Sequence, residues 1–365
     1  MSDMNQDKRQ FRIAICGFGG MGNWHRGTIT GLWDNCRQDP VENLHLVGSF
    51  DIDPARQAFA REHGVEPYPS YEAMLADPQV DIVTIAVPND LHKPLAIQAL
   101  RAGKNVVCEK PVTLSSSDLR QMIDVADATG MLLTVHQNRR WDEDFLCACK
   151  TIAEGTLGPV FRVESAVLGC RGIPGDWRQE PEHGGGMILD WGVHLLDQIC
   201  QMFPGRKIRT VYATVDHVTN ELVDDGFYTD LTLDDGVVAH VEVGTSHFIG
   251  KPRWKIFGRD GSAEIDWGCK GKIVCVTDRS KNDAVPIRTA AGLTKTMAPR
   301  TDDTIKEFPL PAVHSDIRDF YRNVMDTIDG LAEPRIKLAE VARVMRLMET
   351  VRRSAEERRI LPFED

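Results

Sequence analysis

Short apolar runs punctuate the first 140 residues at regular intervals. They lie at 11–16 (FRIAIC), 44–50 (LHLVGSF), 80–87 (VDIVTIAV), 105–108 (NVVC) and 131–135 (MLLTV). Between them the apolar positions take helical spacing, at 23–33, at 95–102 before Gly103, and at 115–129 between a serine cluster and Gly130. Strands alternating with helices predict a parallel sheet covered on both faces. Ligands on such sheets sit beyond the carboxyl ends of the strands. Five polar or glycine-rich stretches fall there: 17–22, Asp51, Pro88-Asn89, Glu109-Lys110 and 136–140.

After Arg140 the period changes. Strands are predicted at 160–167, 208–215, 227–233, 237–243 and 253–257. In the fourth, Val237, Ala239, Val241 and Val243 alternate with His240 and Glu242, the pattern of a sheet with one wet face. Asp234-Asp235-Gly236 and Asp260-Gly261 are hairpin signals. Apolar stripes at Ile317, Phe320, Tyr321, Val324, Met325 and Ile328, and at Val341, Met345, Met348 and Val351, predict two packed helices; 281–303 has little pattern and reads as a mobile excursion. The fold class is therefore α/β. A Rossmann domain over 1–138 precedes an α+β domain over 139–365, built on an open, mostly antiparallel sheet, with the C-terminal helix packing back on the first domain. The sheet's open face would leave apolar side chains in water unless covered, which predicts a homodimer or homotetramer joined there.

The stretch GFGGMG, at 17–22, sits between the first strand and the first helix, the context that makes such a motif a dinucleotide site. Gly17 permits the tight turn, Gly19 lets the backbone approach a pyrophosphate, and Gly22 lets helix and strand pack closely. Free N–H groups at the helix start complete an anion site. Asp51, at the tip of the second strand, is expected to take the ribose hydroxyls of the adenosine. It would repel a 2′-phosphate, and Ile52 follows it with no neighbouring arginine, so NAD is expected over NADP. The gap from Gly22 to Asp51 exceeds the usual distance of about 20 residues, and polar 34–43 (DNCRQDPVEN) reads as a loop insertion that absorbs the excess.

A length of 365 residues agrees with two domains, and a net charge of −11 argues against nucleic-acid or anionic-membrane partners. The polar start MSDMNQDKRQ has no apolar signal core, and no run approaches a membrane span. Nine scattered cysteines without a CxxC pair read as reduced thiols, so a cytoplasmic protein is expected, with no metal site.

One stretch of the second half is chemically loaded: GGGMILDWGVHLLDQI, at 184–199. Asp190 and His194 stand at i and i+4 on a predicted helix, and Asp197 lies near the same side. A satisfied core histidine is the ordinary reading of such a residue. Two bracketing carboxylates and a leading glycine run favour catalysis instead.

GFGGMG, VPNDLH (87–92), AGKNVVCEKP (102–111), HQNRRWDEDF (136–145), the stretch just described and the helical tail at 336–359 follow one another along nearly the whole chain. In this order they resemble the glucose–fructose oxidoreductase / myo-inositol dehydrogenase (Gfo/Idh/MocA) family, and NRRWDEDF is most similar to its scyllo-inositol dehydrogenase-like branch. The resemblance implies hydride transfer between a nicotinamide and a carbinol of a sugar or cyclitol. It implies Lys110, Asp190 and His194 as the catalytic group, with Lys110-Pro111 in cis. The cofactor would be held by Gly17, Phe18, Gly19, Gly20, Met21, Gly22, Asp51, Ile52, Val87, Pro88, Asn89, His92, Glu109, Lys110 and Asn138. Arg139, Trp177, Arg178 and Asp197 would border a small polyol or sugar. An imidazole at position 194 suits a general base, and a lysine at 110 suits a developing alkoxide. The branch often prefers NADP and lacks an acid at the second strand, so Asp51 departs from it. An NAD-dependent glycosidase working by transient oxidation is the alternative on the same fold, distinguished by release of a free sugar without net NADH. A non-catalytic NAD sensor would be expected to lack Lys110 or His194, and both are present.

Overall fold

The computed structural model describes residues 9–281, 286–294 and 296–364. Strands β1 (Phe11–Cys16), β2 (Leu44–Phe50), β3 (Ile82–Ile85), β4 (Asn105–Cys108) and β5 (Leu133–Val135) form a parallel sheet in the order β2-β1-β3-β4-β5. Phe11, Ile13, Ala14, Ile15 and Cys16 are all buried, as expected of a strand covered on both faces.

Helices α1 (Gly20–Thr30), α2 (Pro54–Glu62), α3 (Tyr71–Ala76), α4 (His92–Arg101) and α5 (Ser116–Thr129) connect the strands. Helix α1 begins inside the glycines, three residues before its predicted start. It ends at Gly31, whose φ of 71° suits a glycine C-cap. Side-chain caps open two of the other helices: Asp53 accepts the Ala55 N–H and Ser115 the Asp118 N–H. The α4 helix starts three residues early because His92 is buried and serves as its first residue.

Helix α6 (Glu143–Ala153) leads into a second, nine-stranded sheet. Its strands are β6 (Val160–Leu168), β7 (Ile208–Asp216), β8 (Gly226–Leu233), β9 (Val238–Gly244), β10 (Trp254–Gly258), β11 (Gly261–Asp266), β12 (Lys270–Val276), β15 (Ile305–Phe308) and β16 (Leu361–Pro362). The order is β15-β12-β11-β10-β6-β9-β8-β7-β16, antiparallel except for the β6–β9 pair. Within the patternless stretch, β13 (Ile287–Thr289) and β14 (Gly292–Thr294) form a separate hairpin, and part of that stretch lies outside the described residues.

One face of the large sheet is covered by helices. Helix α7 (Val193–Met202) is buried from Val193 through Cys200 and packs on β9 and on α9 (Leu338–Glu357), which also lies against β7. Helix α8 (Arg318–Ile328) packs on α1, and α9 touches α5 and β5, so both C-terminal helices join the first sheet's layers.

The other face is not apolar as expected. Cross-strand register lines up Lys255, Glu164, His240, Asp230 and Tyr212 across β10, β6, β9, β8 and β7. The alternation that buries Val163, Ala239, Val241 and Ile256 on the helix side puts these polar residues on the open side. This row of the open face is therefore largely charged, with the ring of Tyr212, 41% exposed, at its end.

Candidate active site between the two sheets

The glycine loop has the shape of an anion cradle. A Cβ at Gly17 would lie 2.3 Å from the Ala86 carbonyl oxygen, and one at Gly22 2.1 Å from that of Gly17, so both positions exclude side chains. A Cβ at Gly19 or Gly20 would meet nothing within 4 Å. The backbone there is open at the start of α1, where free N–H groups and the helix dipole favour a phosphate. These residues fit a dinucleotide. The Phe18 ring is fully buried beneath the loop, so Phe18 offers backbone alone.

Asp51 is tied into the loop. Its Oδ2 accepts the Phe18 N–H at 2.7 Å and its Oδ1 the Asp53 N–H at 2.9 Å. Each carboxylate oxygen keeps a second lone pair, so a ribose diol can still be received. Ile52 beside it is 84% exposed.

His92 does not face a ligand. It is fully buried, with Nδ1 2.9 Å from the Pro111 oxygen and Nε2 2.9 Å from the Val87 oxygen. It braces the turn after β3 against the turn after β4, and leaves the set of direct cofactor contacts. Asn89 is buried and donates to the Gly184 oxygen at 3.1 Å, tying the first domain to the glycine run of the second. Asn138 keeps a buried Oδ1 with no hydrogen-bond partner among the described residues.

The chemistry gathers where Lys110, on the cis Lys110-Pro111 turn, meets the loaded stretch. Lys110 Nζ donates to Asp190 Oδ1 and to the Asp190 carbonyl oxygen, both at 3.1 Å. Arg178 Nε donates to Asp190 Oδ2 at 3.3 Å, while its guanidinium lies 4.5 Å over the Trp177 ring. Burial raises the Asp190 carboxyl, but Lys110 and Arg178 outweigh it and leave the group below its ordinary value.

Asp190 does not share a regular helical face with His194. Residues Ile188–Gly192 form a π-helical turn that feeds α7, which re-aims Asp190 toward Lys110. His194 is buried, and its Nδ1 has no hydrogen-bond partner among the described residues. Burial first, then the charges of Lys110 and Arg139, hold its imidazole well below the ordinary value, so it is neutral and able to accept a proton.

Arg139 and Asp197 part ways. The Arg139 guanidinium lies 4.2 Å over the Trp191 ring and 5.8 Å from that of Trp267, near His194. Asp197 is turned away and buried, with Arg140 on both oxygens at 2.6 and 2.8 Å. Arg140 also donates to Glu340 of α9 at 2.7 Å. Asp197 is therefore a structural partner of Arg140 and not a substrate contact.

Sequence reasoning missed Trp191 and Trp267, and also a buried cluster behind Lys110. His25 Nε2 and His136 Nδ1 lie 2.9 and 2.7 Å from Glu109 Oε1, and His25 Nδ1 meets the Tyr321 hydroxyl. Burial raises the Glu109 carboxyl, yet His136 and His25 hold it well below its usual range. The three donors lie within 4.8 Å of one another, as metal ligands would. Tetrahedral zinc ligands at about 2.0–2.1 Å from the ion stand roughly 3.3 Å apart, and the closer spacing here is that of hydrogen bonds.

Residues 11–137 match the model of an oxidoreductase family with an NAD-binding Rossmann fold, and residues 145–264 match the GFO/IDH/MocA C-terminal domain. Over 97% of its length the chain is 30% identical to scyllo-inositol 2-dehydrogenase (NADP(+)) of Bacillus subtilis, spanning 96% of that protein. The chain belongs to the GFO/IDH/MocA oxidoreductase family. An inositol 2-dehydrogenase of Rhizobium meliloti is 28% identical over 78% of this chain and 80% of its own. Among solved structures, an NAD-binding protein from Listeria innocua superposes with a TM-score of 0.91 at 42% identity, covering 97% of this chain and all of that one. The expected two-part fold and family resemblance are thus confirmed, and the chain is an oxidoreductase of this family.

Proposed function

We propose that this protein is an NAD-dependent dehydrogenase of a carbinol carbon on a sugar, sugar derivative or cyclitol. The observation that carries the reading is the contact of Lys110 from the first domain with Asp190 from the second, beside a neutral His194 with a free ring nitrogen. When bound, the nicotinamide supplies the hydride acceptor. The chain's own residues have the rest of the task. The Lys110 ammonium favours the alkoxide form of a hydroxyl placed against it. His194 receives the hydroxyl proton at its imidazole. Asp190 keeps Lys110 directed into the cleft, and Arg178 and Trp177 border the space beside it.

The inositol dehydrogenases among the relatives support the substrate class. Asp51 supports NAD, because its carboxylate is fixed against the loop where a 2′-phosphate would meet its negative charge. Among the described residues no helix is long and apolar enough to cross a membrane, and the reading keeps a small molecule as the partner, with no nucleic acid or membrane. Self-association through the open sheet belongs to the same proposal, now on polar chemistry. On that face Glu242 is buried between Lys251 and His247, whose Nε2 lies 3.5 Å from its Oε1, a charged cluster of the kind a polar contact would use. A panel of inositols, aldoses and amino sugars with NAD and NADP, followed by NADH or NADPH absorbance, tests the reading. Turnover of none of them overturns it.

A further inference from the structure

We infer that His25, His136 and Tyr321 are positioning residues for Lys110, acting through the buried carboxylate of Glu109. The inference rests on the reading of Lys110 as the group that meets the substrate hydroxyl. The four side chains come from α1, from the ends of β4 and β5, and from α8 in the second half of the chain, and all are buried.

Each link of their hydrogen-bond chain has one allowed direction. An ionised carboxylate only accepts, so both nitrogens that face it carry hydrogen: Nε2 of His25 and Nδ1 of His136. That leaves Nδ1 of His25 bare, and it accepts from the Tyr321 hydroxyl. The second oxygen, Glu109 Oε2, accepts the backbone N–H of Lys110 at 3.1 Å. A continuous path thus runs from α8 to the peptide nitrogen of Lys110, whose ammonium lands on Asp190. Packing alone would not require a buried anion there. A buried carboxylate is costly unless its lone pairs are filled, and here three donors fill them. The arrangement fixes the stem of a long, flexible side chain at its root. Fixation matters because a misplacement of about 1 Å at a reacting group can cost roughly 10²-fold in rate.

The test measures Lys110 directly. Wild type, Tyr321→Phe and Glu109→Gln are briefly treated with acetic anhydride. Acetylation of Lys110 is then read by peptide mass spectrometry against the exposed Lys272. In the wild type Lys110 is protected, its side chain being 14% exposed against 52% for Lys272. In the variants the Lys110-to-Lys272 ratio is expected to rise several-fold, because the ammonium no longer stays on Asp190. On a substrate found by the panel above, kcat is expected to fall about tenfold or more while KM changes little. Tyr321→Phe removes a single oxygen from a packed ring, so it remains a fair test if Glu109→Gln does not fold. Folded variants with an unchanged labelling ratio, even at lower Tm, would overturn the inference and leave the cluster as core packing. The labelling needs no substrate. A wild type that turns over nothing therefore defeats the functional reading, while the ratio still decides this one.

Discussion

Lys110 Nζ reaches Asp190 across 80 residues of sequence, holding its Oδ1 and its carbonyl oxygen at 3.1 Å each. The bridge is one of the charge pairs that join the two domains, beside Arg9–Asp329 and His183–Asp90. Asp190→Asn keeps a hydrogen-bond acceptor but removes the anion that holds the ammonium in place. It is expected to lower kcat by roughly 10²-fold with nucleotide affinity nearly unchanged. Lys110→Met is expected to lose most turnover and some nucleotide affinity as well. Steady-state kinetics beside fluorescence titration of NADH separate the two effects.

His194 is held neutral by burial and by the charges of Lys110 and Arg139. Its basic form therefore persists below the ordinary histidine value of 6.5. The acid limb of kcat/KM for alcohol oxidation is expected below that pH, since activity disappears only once the imidazole is protonated. His194→Ala is expected to reduce kcat by roughly 10²–10⁴-fold, with partial recovery at higher pH where hydroxide replaces the base. Near-normal kcat in this variant would remove His194 from the mechanism and make Lys110 the candidate base.

Asp51→Ser removes the charge that would repel a 2′-phosphate. It is expected to narrow the preference for NAD over NADP, chiefly through a lower KM for NADP. Because Asp51 also holds the Phe18 N–H, a moderate loss of NAD affinity should accompany the gain. A wild type that already prefers NADP would contradict the ribose reading.

Arg140 neutralises the buried Asp197 and reaches Glu340 on α9. Removing one partner of a buried pair costs about 3–5 kcal/mol. Arg140→Met is thus expected to lower stability in denaturant titration by an amount of that order. Substrate KM should change little, which would not hold if Asp197 touched the substrate.

The open sheet face carries a charged ladder and not an apolar patch. A dimer joined through it is expected to dissociate as salt rises, because exposed charge pairs are screened. Light scattering at low and high ionic strength checks this, and a monomer at micromolar concentration in low salt would refute it.

The parallel sheet was legible because its strands are continuous apolar runs and its turns carry glycine at the positions that need it. Helix starts were read late at α1 and α4. There glycine and a buried histidine occupy helical positions that propensity assigns to loops. Lys110 and Asp190 could be named from motifs, but not their contact. The π-helical turn Ile188–Gly192, which carries Asp190 into α7, breaks the regular spacing on which face arguments depend. Asp197 illustrates the converse, a carboxylate at plausible spacing whose partner, Arg140, lies 57 residues away. His25, His136 and Tyr321 belong to three separate elements, and no local pattern links residues that far apart. The polar outer face is visible in part in the alternation that sets His240 and Glu242 opposite Ala239 and Val241, while the partners across the sheet, Asp230 and Glu164, come from strands whose register no local pattern gives.

The packing of α8 and α9 has a consequence for synthesis. Phe320 and Tyr321 sit among the aromatic rings beside His136, and Glu349 of α9 receives the Ser116 N–H and hydroxyl at the start of α5. The domain whose strands leave the ribosome earlier is therefore completed by helices that leave it later. Until residues past 349 have emerged, Tyr321 and Glu349 cannot both be in place, and the nucleotide domain waits with His25 unpaired at Nδ1 and α5 uncapped from that side.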